Sequence, residues 1–532
     1  MQRRAFIQTI AGFTVLTGYL ASCRRQKIIG GSVIGATAAT GHLLRDKRFA
    51  APVSITEHDV VIAGGGISGL SAARHLHRQG VKDFVILDLE KEMGGNAACG
   101  KNDISGYPWG AHYVPIPNNN LTEYTDFLRE CGVITGTDNK GLPIYNDYHL
   151  CFDPEERLYI NGQWQEGLVP RFGVPEQEKK QIARFLEQMQ SFRIATGNDG
   201  REAFCIPLDN SSKDPVFTAL DRMTMQEWLK QNDFTSDYLH WYVNYCTRDD
   251  FGTTIAEISA WMGIHYFACR KGHGSNAGHH DVLTWPEGNG WLSGHLLQDI
   301  QSHFINQCLA VRVTPENGRL NIDYFDVKES RLKRISALQC ILAVPQFVAA
   351  RILQDEERTR KVQEHIQYSP WMVANITTGP LKERTGAVIS WDNVLYNSPS
   401  LGYVDATHQL IQQSQTKRNL TYYLPLTHLS PAEARKQALE RTHAEWVQLI
   451  LNDLDTVHPD IAEAVSKIDI MIWGHAMAKP LPGLVHGAIR QELAASVNNQ
   501  LHFAHTDLAG ASIFEEAFYQ GLSAAKKVLS HL

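Results

Sequence analysis

The chain is predicted to fold as an α/β protein, a parallel sheet flanked by helices and interleaved with a second, α+β region. Three observations carry this expectation. Asp59-Val60-Val61-Ile62-Ala63 is a short continuous apolar run, as expected of a strand buried on both faces, and it enters Gly64-Gly65-Gly66-Ile67-Ser68-Gly69 without a break. Leu70, Ala73, Leu76 and His77 then recur at helical spacing until Gly80. A second strand, Phe84-Val85-Ile86-Leu87, ends on an acid, Asp88, 19 residues after Gly69.

Each position of this unit has a physical reason. Gly64 permits a tight turn, Gly66 lets the backbone approach a pyrophosphate, and Gly69 allows close helix–strand packing. Ile67 and Ser68 open a helix whose free N–H groups and positive dipole end suit phosphate. Asp88 is placed to accept from ribose hydroxyls. A near-match at Gly288-Asn289-Gly290 lacks a preceding strand and its next glycine, Gly294, comes one residue late, so it is read as a turn. Dinucleotide binding in a Rossmann-like domain is the expectation.

Size and composition set the frame. The chain has 532 residues, which favours more than one domain. A formal charge of −7 over this length provides no basic face, which sets nucleic acid aside as a partner. The nine cysteines contain no CxxC pair, so neither a zinc site nor a dithiol redox pair is supported, and the eight beyond Cys23 are expected as buried thiols. His273, His279 and His280 lie in a glycine-rich loop and are read as polar loop residues rather than metal ligands.

At the N-terminus, Arg3-Arg4 precedes Phe6-Ile7 and a moderately apolar stretch from Thr9 to Leu20, ending Leu20-Ala21-Ser22-Cys23. This describes an export signal too short to cross a membrane as a helix. It resembles a twin-arginine signal with a bacterial lipobox, which implies export to the periplasm and membrane attachment through a lipid on Cys23. Twin-arginine systems carry folded, cofactor-loaded proteins. Residues 24–57 are read as a tether, although the apolar content of Ile28 to Ala39 leaves room for part of it to dock on the body.

Further segments carry a family resemblance. Leu87 to Gly95 followed by Asn96 reads as acid, spacer, Gly94-Gly95. Trp109-Gly110-Ala111-His112-Tyr113-Val114, Trp285 to Leu292, Ala310-Val311-Arg312-Val313, Ile341 to Pro345, and Phe503-Ala504-His505-Thr506-Asp507 with the helix starting near Phe514 follow in order. Together they resemble the flavin amine oxidase superfamily, which also holds protoporphyrinogen oxidases and carotenoid-type desaturases. The resemblance implies non-covalent FAD, bound through Gly64, Gly66, Ile67, Ser68, Gly69, Asp88, Gly94, Gly95, Asn96, Gly110, Ala111, His112, Val311, Asp507, Ser512 and Ile513. It further implies FAD segments at 58–115, 281–345 and 481–532, alternating with substrate-domain segments at 116–280 and 346–480. Helices are expected near Gln177–Phe192 and Met225–Lys230, a strand at Leu420–Leu424, and one long amphipathic helix from Pro431 to Leu454.

The expected activity is hydride removal from a C–N or C–C bond of an organic substrate, with oxygen, a quinone or a redox protein as electron acceptor. A desaturase or isomerase, or a non-catalytic redox partner, is the alternative. Relatives often place a lysine near the flavin shortly after the Ala-x-Pro strand, but Gln346 to Leu353 contains none. Trp473, His475 and Lys479 are the candidate catalytic residues, as cavity wall and as base or orienting groups.

Overall fold

The computed structural model describes residues 27–35, 37–46, 49–411 and 416–532. The segment read as an export signal, with Cys23, lies outside them. Two sheets organise the molecule. In the first, Ile55–Ala63 is central, with Phe84–Leu87 parallel on one side and Arg331–Leu342 parallel on the other. Phe304–Ile305 extends the sheet beyond Phe84–Leu87, and Leu501–Phe503 adds in parallel beside Cys340–Leu342. The fold is α/β, with one correction to a purely parallel sheet. Cys308–Glu316, Arg319–Asp326 and Arg331–Leu342 form an antiparallel meander. Its first turn is Asn317-Gly318, both at positive φ, the pair that a tight hairpin demands.

Helix Ile67–Arg78 packs on this sheet, and the C-terminal helix Phe514–Leu529 packs on that helix. Contact is close because Gly521 has no side chain; a Cβ there would stand 2.0 Å from the Ser68 carbonyl oxygen. The two ends of the chain are thereby joined at the phosphate-facing helix.

The second sheet is mixed and eight-stranded, with Tyr368–Thr378 antiparallel to both Arg418–Pro425 and Val465–Ala478 at its centre. Helices Glu176–Ile194, Met225–Gln231, Asp237–Phe251 and Ala260–Ala268 belong to the region between the first two cofactor-sheet segments. The single long helix expected from Pro431 to Leu454 is two, Pro431–Glu440 and His443–Leu454. Thr442 stops the first and starts the second: its hydroxyl accepts from the Glu445 N–H while Glu445 accepts from the Thr442 N–H, a capping box.

The described part of the segment read as a tether lies against the body. Val33–Gly35 pairs in parallel with Ile470–Ile472, Ile29 is buried, and Thr37 donates through its N–H and hydroxyl to Glu90. Strand pairing, the buried Ile29 and the Thr37 bonds hold it there, while Ile28, Val33 and Ile34 stay exposed. The eight cysteines from Cys99 onward are free thiols, six of them buried, with Cys99 exposed and Cys131 half-buried.

Candidate active site

The phosphate cradle is built by close approach of backbones. The Gly64 N–H donates to the Leu87 carbonyl at 2.8 Å, and Gly64 has φ +112°, with an added Cβ only 2.2 Å from the Ala343 carbonyl oxygen. At Gly69 a Cβ would stand 1.8 Å from the Gly64 carbonyl oxygen. Gly66 differs. An added Cβ meets nothing nearer than the Gly95 Cα at 4.0 Å, so the space before the helix is kept open by both backbones. The Gly94 N–H donates to the Gly65 carbonyl at 2.9 Å and brings Gly95 there. Because the first helical bond runs from the Leu70 N–H to the Gly66 carbonyl, the N–H groups of Ile67, Ser68 and Gly69 have no helical partner.

Asp88 closes the cradle. Its carboxylate accepts from the Gly65 N–H and, at 2.7 Å, the Glu90 N–H, while burial pushes its pKa up to about 6 against those bonds. Hydroxyl donors would relieve that cost. Val311 sits at a bulge where the ladder with Arg319–Asp326 slips, which releases its backbone from strand pairing. An open glycine-lined gap, free helical N–H groups and a buried acid suit a dinucleotide's phosphates and ribose.

From the cradle the chain leads to a cavity of about 140 Å³. Its floor is the loop Pro108 to Tyr113, which the second sheet pins from above. The Asn375 amide donates to the Pro108 carbonyl at 2.9 Å, the Trp473 indole to Trp109 at 2.6 Å, and the Tyr423 hydroxyl to Gly110 at 2.9 Å. The Ala111 N–H donates to the Asn96 carbonyl, and the Asn289 amide donates to Tyr113. The Asn289 Oδ1 atom is buried and unpartnered at the cavity wall, an acceptor left for a bound group. Burial holds the His112 imidazole down at about 3, so it is neutral; its ring lies 4.6 Å from that of Tyr423.

Trp371, Tyr423 and Trp473 form one side of the cavity, and Asp249, Asp250, Arg270 and Glu515 a second. Arg270 pairs with Asp250 at 2.6 Å, and the Tyr113 hydroxyl donates to Asp250 at 3.2 Å. Burial first, then the neighbouring Asp250, pushes Asp249 up to about 7. Burial also raises Asp250, against the pull of Arg270, and lifts Glu515 to about 7. Acids held near neutrality beside a walled cavity are equipped to take up and release protons.

Of the residues singled out in the sequence, Asn96, Gly110, Ala111, His112, Trp473, Ser512 and Ile513 meet at this cavity. Three do not. His475 stacks on Phe347 with ring centroids 4.5 Å apart and lies outside the lining. Lys479 is buried in an ion pair with Glu257 at 2.5 Å. Asp507, expected at the ribityl or pyrophosphate, is fully buried, and its Oδ1 atom makes no hydrogen bond among the described residues. It accepts from the Gln346 N–H at 2.7 Å and the Tyr368 hydroxyl at 2.6 Å, and lies 2.9 Å from His505. Burial raises its pKa, but these partners outweigh that and hold it below the usual range. Asp507 therefore staples helix Gln346–Leu353 to strand Tyr368–Thr378.

The sequence reading missed Asp249, Asp250, Arg270, Trp371, Tyr423 and Glu515. One signal was present: Asp249 and Asp250 fall in the last turn of helix Asp237–Phe251, where the dipole disfavours acids. Such a local violation marks a functional position.

Comparison with known proteins decides the family. The model of the flavin-containing amine oxidoreductases matches residues 67–529. The chain belongs to this family. It is a flavin-dependent oxidoreductase and FAD is its cofactor. Similar curated proteins include pseudooxynicotine dehydrogenase from Pseudomonas sp, 38% identical over 102 residues, covering 17% of this chain and 20% of the relative. Flavin-containing amine oxidase B from Bos taurus is 26% identical over 223 residues, covering 39% of this chain and 35% of the relative. The alignments thus span about a fifth to a third of these relatives. Oxidoreductase PigB from Serratia sp. is 22% identical over 552 residues, covering 92% of this chain and 77% of the relative. Among solved structures, wild-type putrescine oxidase bound to putrescine superposes with a TM-score of 0.65 at 16% identity, covering 90% of this chain and 100% of that one. A fatty acid isomerase from P. acnes gives 0.59 at 16% identity, covering 88% and 98%. These two share the fold of the amine oxidoreductases.

Proposed function

We propose that this family member is an exported dehydrogenase that oxidises the C–N bond of a small amine. The observation that carries the reading is the pairing of an aromatic wall with buried carboxylates around one cavity at the flavin loop. Trp371, Tyr423 and Trp473 offer π faces to a cation, and Asp249 and Asp250 offer negative charge. The similarity to a pseudooxynicotine dehydrogenase and to flavin-containing amine oxidase B agrees with it.

The chain's residues then divide the work. The cradle at Gly64 to Gly69 and Asp88 would hold the dinucleotide, and the pinned loop at Gly110 to Tyr113 would position the ring beside the cavity. Bound FAD supplies a two-electron acceptor for the hydride from the substrate's α-carbon. An ammonium cannot give up that hydride readily, because its nitrogen lone pair is occupied by a proton. Asp249 takes the proton at a carboxylate oxygen, Arg270 pairs with Asp250 beside it, and the aromatic wall excludes water. The imine product is hydrolysed by water after release.

Among the described residues, no lysine lines the cavity. With that group missing, a quinone or a redox protein serves better than oxygen as electron acceptor. The same absence favours, as a second reading, an isomerase that uses FAD without net turnover of electrons. Export through Arg3-Arg4 and attachment through Cys23 belong to this proposal and rest on the sequence alone.

Purified protein incubated anaerobically with a panel of primary amines tests the reading. Bleaching of the flavin by an amine supports it; substrate conversion with the flavin remaining oxidised supports the isomerase. An unbleached flavin across all amines, with no conversion, overturns both. Replacing Arg3 and Arg4 by lysines should hold the protein in the cytoplasm, and unchanged export would refute the twin-arginine route.

A further inference from the structure

A second cavity, of about 390 Å³, lies apart from the flavin cavity and shares none of its lining. Helical-region residues Lys213, Asp221 and Arg222 form one wall, and the segment Gly483 to Arg490 forms the other. Its charge is strongly one-sided. Among the described residues, neither Lys213 nor Arg222 has an ion-pair partner, and both side chains are exposed at the rim. Arg490, buried beneath them, forms a fixed floor: its guanidinium donates to the Val485, Leu508 and Ala509 carbonyls and is ion-paired with Asp209 at 3.1 Å.

The acid in the lining is already spent. The Asp221 carboxylate accepts from the Ser259 hydroxyl and, at 2.8 Å, the His486 N–H, and its backbone carbonyl accepts from the Gly483 N–H at 2.7 Å, so it faces the protein. The Nε2 atom of His486 is enclosed and has no partner. Its ring stands edge-on to Trp261 with centroids 4.9 Å apart, which fixes its direction. Two free cations, a fixed buried guanidinium and an unpartnered imidazole nitrogen around a space larger than one phosphate group constitute a receptor for an anion.

We propose that this cavity binds a small phosphorylated molecule, with Lys213 and Arg222 contacting the phosphate oxygens and Arg490 and His486 forming the base of the site. Two point-charge or fork donors without carboxylate partners are the groups that recognise phosphate in water. The site is independent of the amine cavity and of how that cavity is assigned.

FAD-loaded protein titrated with inorganic phosphate and, separately, with pyrophosphate tests the proposal, using calorimetry and thermal melting at constant ionic strength set with sodium chloride. Lys213→Gln with Arg222→Gln changes only exposed side chains and leaves the fold in place. The expected result is saturable binding and a raised Tm in the wild type, with affinity reduced at least tenfold in the double variant. Pyrophosphate binding more tightly than phosphate is expected from the cavity's size. Equal binding by wild type and double variant, or a wild-type response no greater than that to chloride, would overturn it.

Discussion

Trp371 and Trp473 stand directly opposite one another on neighbouring antiparallel strands, and both indoles face the flavin cavity. They differ in one bond. The Trp473 indole N–H donates to the Trp109 carbonyl, whereas that of Trp371 has no partner. Trp473→Phe should therefore loosen the flavin loop, weakening FAD retention about fivefold, the equivalent of about 1 kcal/mol. Trp371→Phe should leave FAD retention unchanged and alter KM for the substrate. Flavin release by ultrafiltration, together with steady-state kinetics, checks both.

The glycine cradle separates folding from cofactor binding. Gly66→Ala adds a methyl group to open space, so the apoprotein should keep its Tm while FAD affinity falls at least tenfold. Gly69→Ala forces a methyl group onto the Gly64 carbonyl oxygen and should lower the Tm of the apoprotein itself. Melting curves with and without FAD distinguish the two.

Asp249 ties activity and stability to pH in opposite directions. Its pKa is raised in the folded protein to about 7, above its ordinary value near 4. The folded state thus holds this proton more tightly. The stability it contributes is complete below about pH 4 and is lost as pH rises toward 7. Asp249→Asn should then raise the Tm at pH 8 by about 2–4 °C and have little effect at pH 4. The same substitution removes the proton acceptor, so the rise of kcat/KM through pH 7 seen in the wild type should disappear. Melting and pH–rate profiles of both proteins check this.

His475 and Lys479 make the converse case. Lys479→Gln breaks the ion pair with the half-exposed Glu257 and should destabilise the protein by about 1 kcal/mol, yet kcat should stay within twofold. His475→Ala should likewise leave kcat in place. A drop of tenfold or more in either, with the flavin retained, would return these residues to the chemistry.

The cradle was legible in the sequence because each of its requirements is local: a strand, a turn that only glycine tolerates, a helix start and an acid at fixed spacing. The loop Trp109 to Val114 was singled out by family resemblance alone, with no local rule behind it. The cavity wall was not legible. Tyr423 lies more than 300 residues from Gly110, whose carbonyl its hydroxyl meets, and only sheet register brings Trp371 opposite Trp473. An acid at a strand end, such as Asp507, has two available directions, and the sequence alone does not choose between them. Its neighbours Tyr368 and Gln346, distant in sequence, draw it inward. His475 and Lys479 share the strand end and exit of Trp473, yet packing turns them to Phe347 and Glu257 instead.

The central claim is that Asp249 takes the proton from an amine before FAD accepts its hydride. Anaerobic stopped-flow measurement of flavin reduction by a bleaching amine, compared between wild type and Asp249→Asn from pH 5 to 9, tests it most directly. The account predicts a wild-type reduction rate that rises through an apparent pKa near 7 and a variant slowed at least a hundredfold with no such rise. Reduction of the variant at the wild-type rate, with the same pH profile, would contradict it.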